Sequence, residues 1–230
     1  MTEERRFGEL VDFSGARRPA RAPLRGPRVS LRPLDPAADA EALFELSHAP
    51  NGDPEIWAYL PYGPFPTFAA FTTHLRTQAA TEDPLFFTVH DHDRGPQGIA
   101  SYLEIVPAHG RIEIGHIWFG PRLQRSAAAT EAIYLLIAHA IEDLGNRRLE
   151  WKCNALNAPS RRAAERFGFE YEGTFLQHQV VKGRNRDTAW FAITDKRWPA
   201  LKEAFERWLE PANFDSDGRQ LVGLADLRGS

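Results

Sequence analysis

Paired cysteines, long apolar runs and a strong charge of one sign are all missing from this chain of 230 residues. The single cysteine, Cys153, excludes an internal disulfide framework and any zinc cluster built on cysteine. No stretch approaches the ~20 apolar residues that a bilayer span needs, so no membrane partner is expected. The opening, residues 1–18, lacks an apolar segment of signal-peptide type, and a reduced, cytoplasmic setting is expected. The net charge of -3 argues against a nucleic-acid scaffold. What is present is 43% hydrophobic and 26% charged residues, a balance that excludes wholesale disorder and coiled coil. A chain of this length can bury a sizeable core.

The chain divides into three by composition. Residues 1–28 hold seven arginines against four acids, with Pro19, Pro23 and Pro27, and read as a flexible or surface-hugging arm. Residues 29–210 read as one folded domain and 211–230 as an extended tail. A strand is predicted from Val29, then helices over Pro36–His48 and, capped by Thr67, over Phe68–Ala80. Leu85–His90, Gly98–Val106 and Arg111–Gly120 read as an antiparallel meander. A long helix over Ala127–Leu144 ends at Gly145, followed by a strand over Arg148–Asn154 and a short helix over Ser160–Phe167. Phe169–Val181 and Thr188–Thr194 flank a hairpin turn at residues 182–187, and a last helix covers Lys196–Leu209. This order implies an α/β fold: a mixed, mostly antiparallel sheet of about six to seven strands, with one parallel pair and helices on both faces.

The chemistry concentrates between Gly115 and Ala140. An apolar strand ends at Gly120-Pro121, a polar loop follows, and a helix opens on Ala127, Ala128, Ala129 and Thr130. A helix start offers unpaired N–H groups and the positive end of a dipole, which suits a phosphate or pyrophosphate. Small side chains would let the ligand approach the backbone, and Arg122 and Arg125 would add charge. The competing reading is an ordinary alanine-rich first turn packed on a sheet.

Gln124-Arg-Ser-Ala127-Ala-Ala129 resembles the Q/R-x-x-G-x-G/A pyrophosphate loop of the GCN5-related N-acetyltransferase (GNAT) superfamily. The Ala129-Thr-Glu-Ala132 that follows is similar to the branch containing the ribosomal-protein N-terminal acetyltransferases. Downstream, Asn157-Ala-Pro-Ser160-Arg-Arg-Ala-Ala-Glu165-Arg-Phe-Gly168-Phe169 is similar to that branch's N-x-x-S-x-x-x-x-E-x-x-G-F. The resemblance covers roughly residues 28–195. It departs at Ala127, where the family has its first motif glycine. A positive φ there would resist alanine, and a helical φ would accept it.

The resemblance implies acetyl-CoA as co-substrate and direct attack of an amine on its thioester. The amine would come from a small molecule or a protein N-terminus. It also implies that strand Arg111–Gly120 splays from Arg148–Asn154, so that backbone near Ile117, Trp118 and Phe119 binds pantetheine. Gln124, Arg125, Ser126, Ala127, Ala128, Ala129 and Thr130 would hold the pyrophosphate. Glu113 would be the base, with a carboxyl pKa raised by its apolar strand. His116 is the rival base, its ordinary pKa suiting neutral pH. Ser160 matches a candidate proton donor to the departing thiolate, and also reads as a helix N-cap. Asn157 would contact the cofactor or brace the loop. Cys153 reads as buried and inert, and His90 and His92 lack metal-ligand spacing, so no metal is expected.

For the acceptor, the aromatic loop over residues 50–65 offers Trp57, Tyr59 and Tyr62, and the late hairpin offers Arg184 and Arg186. Asp53, Glu55 and Asp187 would attract an ammonium, whereas the arginines would hold an acid, so the residues alone choose no substrate. The aromatics equally read as packing the loop onto the domain. Two other functions fit: a non-catalytic acyl-CoA-binding module of the same fold, and a different nucleotide-phosphate binder. Exposed sheet edges leave a homodimer open.

Overall fold

The computed structural model describes residues 8–48, 50 and 52–228. Its centre is an eight-stranded sheet: β1 (Leu24–Arg25), β2 (Val29–Pro33), β3 (Leu85–Asp91), β4 (Gly95–Val106), β5 (Arg111–Phe119), β6 (Arg148–Asn154), β7 (Glu170–Val181) and β8 (Arg184–Thr194). The spatial order is β1-β2-β3-β4-β5-β6-β8-β7, antiparallel except for β5 against β6. The strand beyond the expected count is β1, two residues within the arginine-rich arm that pair with Ser30 and Leu31.

Helices cover both faces. On one lie α1 (Pro36–Ser47) and α2 (Phe68–Ala80), whose Leu43, Phe71 and Leu75 bury with Trp57, Phe86, Ile99 and Trp118. On the other lie α3 (Ala127–Ala138), α4 (Ala158–Arg166) and α5 (Trp198–Leu209), packing Ile133, Leu136, Ile137, Trp198 and Phe205 against Ile112, Ile114, Leu149 and Phe191. The starts of the first four helices are local chemistry. Asp35, Thr67, Ser126 and Asn157 cap α1 to α4 by accepting a first-turn N–H.

Three segments differ from the sequence pattern, and the arm takes one of its two expected forms. The long helix stops at Ala138 and widens into a π-turn over His139–Asp143, where the Tyr102 hydroxyl donates to the Leu136 carbonyl at 2.5 Å. A side chain inserted into the carbonyl ladder has that effect. The late hairpin turns on Lys182 and Gly183 alone, both at positive φ, so Arg184 and Arg186 belong to β8. The arm hugs the surface: the Ala16 and Arg17 N–H groups donate to Pro107 and Leu144, and Phe13 lies under Arg147. Finally, 211–228 folds back rather than extending. It forms a bridge between Phe214 and Gln220 and a terminal turn, α6 (Leu224–Leu227), that buries Leu224.

Candidate active site

The parallel pair positions the site. β5 and β6 are paired only at Arg111↔Arg148, Ile112↔Leu149 and Glu113↔Glu150. Beyond Glu113, β5 runs on to Phe119 and β6 to Asn154 without meeting, and His116, at φ 50°, forms a bulge against β4. The result is a V-shaped gap with a free β5 edge. It opens into a cleft of about 1900 Å³ lined by both strands, the first turn of α3, α4, loop residues 53–61 and tail residues 214–220.

One end of the cleft is basic. The chain leaves β5 through a loop in which Arg125 carries the positive φ of 61°, and Ala127 opens α3 in helical conformation. The Ser126 hydroxyl caps Ala129 N–H at 3.0 Å and donates to the Leu123 carbonyl. The N–H groups of Ala127 and Ala128 find no acceptor among the described residues. Gln124 does not face inward with its amide free; its Nε2 donates to the Phe119 carbonyl at 2.8 Å and ties the loop to β5. Arg125, Arg162, Arg166 and Arg219 line the same cleft, Arg219 with Asp217 as an exposed partner. Arg166 donates to the Thr130 hydroxyl at 3.1 Å and lies over Trp208, 4.8 Å from the ring centre. A diphosphate would meet free N–H groups, a helix dipole and several guanidinium groups there.

The apex of the gap holds a charge network. Glu113 is 5% exposed and its Oε2 lies 2.9 Å from Lys152 Nζ. Lys152 also meets Glu150 at 3.0 Å and lies over the Trp190 ring at 4.1 Å. Glu150 further accepts from Arg148 at 2.7 Å and Arg111 at 3.1 Å, and these cations hold its carboxyl below the usual range. Glu113 behaves oppositely. Burial pushes its pKa up to about 7, with Lys152 opposing and Glu150 adding to the rise. His116 also lines the cleft. Burial drives its pKa down to about 4, and its Nδ1 sits 3.1 Å from the Tyr62 hydroxyl, so at neutral pH it is an uncharged imidazole.

The acceptor-side residues separate into two groups. Trp57 is 2% exposed, packs in the α1–α2 core and donates its Nε1–H to the Ser47 carbonyl; it lies off the cleft. Arg184 is exposed at the hairpin and is also absent from the lining. Tyr59, 39% exposed, lines the cleft and donates to the Leu156 carbonyl across it at 3.1 Å. Lys182 at the hairpin tip donates to the Trp57 carbonyl at 2.7 Å, a second bridge over this end. Tyr62 stacks on His116 and reaches the site through it. Arg186 lines the cleft directly.

At α4 the cap is Asn157, whose Oδ1 accepts Ser160 N–H at 3.1 Å, and not Ser160. Asn157 therefore braces the helix start while still lining the cleft. The Ser160 hydroxyl accepts the Trp151 Nε1–H at 3.0 Å and is also hydrogen-bonded to the Cys153 side chain. Ile117, Trp118 and Phe119 line the gap as well, Trp118 with its ring in the α1–α2 core. Cys153 lies in the cleft wall, its thiol pushed up by burial. Sequence reasoning missed Lys152, Glu150, Arg162, Arg166 and the tail residues Phe214, Arg219 and Gln220. Arg162 and Arg166, one turn apart on α4, carried a readable signal; the others depend on strand register or on where the tail folds.

Comparison with known proteins agrees with this geometry. The Acetyltransferase (GNAT) domain family matches residues 28–170. A GCN5-related N-acetyltransferase from Brucella melitensis is 44% identical, with 95% of this chain and 99% of that chain covered at a TM-score of 0.92. A GNAT-family protein from Chromobacterium violaceum is 43% identical, covering 84% of this chain and 96% of the other at a TM-score of 0.77. RimL, a ribosomal alpha-N-protein acetyltransferase, has a TM-score of 0.64 over 75% of this chain and 93% of its own, and at 20% identity that likeness is one of fold. No curated protein matches the chain.

Proposed function

The chain belongs to the GNAT family of acetyltransferases, and from that premise we propose that it moves an acetyl group from acetyl-CoA to a primary amine, of a small molecule or a protein N-terminus. The observation that carries this reading is the polarity of the cleft: a basic phosphate-sized cradle at the start of α3 and a buried carboxyl of raised pKa at the strand apex. The residues fit coenzyme A. Ala127 and Ala128 would give N–H groups to its pyrophosphate, with Arg125, Arg162, Arg166 and Arg219 supplying charge. The free edge over Ile117, Trp118 and Phe119 would bind pantetheine amides.

Coenzyme A would supply an acyl thioester open to attack by an uncharged amine. Glu113 would take the amine's proton. A carboxyl group with a pKa near the working pH is matched to that task. His116 suits it less, being a weak base with one nitrogen committed to Tyr62. Lys152 would hold Glu113 in place while its charge is balanced by Glu150. The Ser160 hydroxyl, which lines the cleft beside Cys153, would protonate the leaving thiolate.

Calorimetry or thermal shift with acetyl-CoA, with dephospho-CoA and ATP as controls, tests the first half. At 100 times its dissociation constant, a ligand that binds only the folded chain adds ~2.7 kcal/mol of stability. No response at millimolar acetyl-CoA would end the transferase reading. Binding without turnover of any amine would favour the non-catalytic acyl-CoA module.

A further inference from the structure

Among the described residues, the cations around the strand apex are paired, exposed Arg184 at the hairpin is left to water, and Arg186 is neither paired nor fully exposed. Lys152 is shared by Glu113 and Glu150, Arg111 by Glu104 and Glu150, and Arg148 by Glu150 and Glu172. Arg186 makes no hydrogen bond or ion pair with any described residue, and its Nε is buried without a partner. Arg125 and Arg162 also lack partners, but they are exposed and water serves them. Arg186 is only partly exposed, and a guanidinium whose Nε–H is withdrawn from water without an acceptor is costly to hold.

Nor is this a wandering surface side chain. Arg186 sits within paired β8, opposite Gln179, and strand alternation sets it on the same face as Thr188 and Trp190, the ring beneath Lys152. It is close enough to Glu113 and His116 for their charges to interact. The neighbouring carboxylate cannot serve it. Asp187 faces the other way, where it accepts Gln177 N–H at 2.7 Å and Asn185 Nδ2 at 3.0 Å.

We propose that the acceptor is an amine that also carries a carboxylate, and that Arg186 grips this carboxylate while the amine faces Glu113. The planar fork of a guanidinium matches a carboxylate edge to edge. A single unpaired cation near Glu113 suits a monoanion better than a doubly charged phosphate. Asp53 and Glu55, which also line the cleft, favour the ammonium end of the same zwitterion. This inference rests on the acetyl-transfer reading and narrows its acceptor to an amino-acid-like molecule.

The test uses matched amines with acetyl-CoA: the α-amino acids, β-alanine and 4-aminobutyrate against their amides and their decarboxylated counterparts. For at least one set, kcat/KM should favour the carboxylate-bearing member by about tenfold to a hundredfold, the range of a charge-assisted contact. Arg186→Gln should bring that ratio to within a few-fold of one, chiefly through KM, and Arg186→Lys should restore part of it. Thermal shift by the same amines, in wild type and Arg186→Gln, reads the carboxylate contact without turnover. Turnover with no preference for the carboxylate overturns the inference and leaves acetyl transfer standing. Carboxylate binding lost in Arg186→Gln without any turnover supports the Arg186 contact and removes acetyl transfer. A selective loss with succinyl-CoA as donor, in place of the amine preference, would assign Arg186 to the acyl chain and overturn it as well.

Discussion

Glu113 and Glu150 are neighbours across one rung of the sheet, yet burial and partners drive their carboxyl groups in opposite directions. Glu150 has three cations and stays ionised. Glu113 shares one of them and titrates near 7. If Glu113 is the base, kcat/KM rises with pH through about 7, and Glu113→Gln abolishes that limb while keeping acetyl-CoA binding; a mutant with wild-type turnover would remove it from the mechanism. The same shift carries a stability cost of known sign. A carboxyl raised from 4.5 to about 7 on folding contributes stability that is complete below 4.5 and lost as pH climbs through 7, on the order of 3 kcal/mol. The Tm of Glu113→Gln should therefore gain on wild type between pH 5 and pH 8, and Lys152 is not orphaned because Glu150 remains. The burial of Glu113 was legible from its place on an apolar strand. Its partners were not, because cross-strand pairing depends on register, which only the folded sheet defines.

At the scale of elements, periodicity and caps located the meander, α2 with its Thr67 cap, and β6. Those segments obey local rules: short apolar runs bounded by turns in strands that are buried on both faces, and a capping side chain before the helix. Where the pattern misled, a distant group intervened, as with Tyr102 at the end of α3. The loop before α3 shows the same division. The motif glycine is replaced by Ala127, and the structure spends its positive φ two residues earlier, at Arg125, leaving Ala127 helical. Ala127→Asp then separates folding from binding. A carboxylate in the first turn favours the helix dipole by about 0.3–1 kcal/mol, so Tm should hold or rise. The same charge would face the pyrophosphate, and acetyl-CoA affinity should fall at least tenfold by calorimetry. Unchanged affinity would move the phosphate site elsewhere.

On the whole molecule, the two terminal segments turn out to be structural. The arm joins the core through Arg28, whose guanidinium and N–H both engage buried Glu131 of α3, at 2.8 and 2.7 Å. No local rule ties Arg28 to a residue so far along the chain, and composition alone left a flexible and a surface-hugging arm equally open. The tail reaches the cleft by a continuous path. Gln220 accepts the Trp208 Nε1–H at 2.9 Å, Phe214 packs edge-on against Trp208 at 5.0 Å, and Trp208 underlies Arg166, which holds Thr130 in the first turns of α3. The tail thus walls the basic end and lies apart from Glu113 and Arg186. Deleting residues 211–230 removes Arg219 and the support of Trp208, so the KM for acetyl-CoA should rise about tenfold or more, the worth of one charge-assisted contact. The KM for the amine should stay within about twofold, because the acceptor end is walled by other elements. Tm should also fall, since Leu224 leaves its buried seat. Initial rates with each substrate varied in turn read the split. Equal rises in both constants would mean that the tail supports the fold as a whole and has no particular tie to the phosphate end.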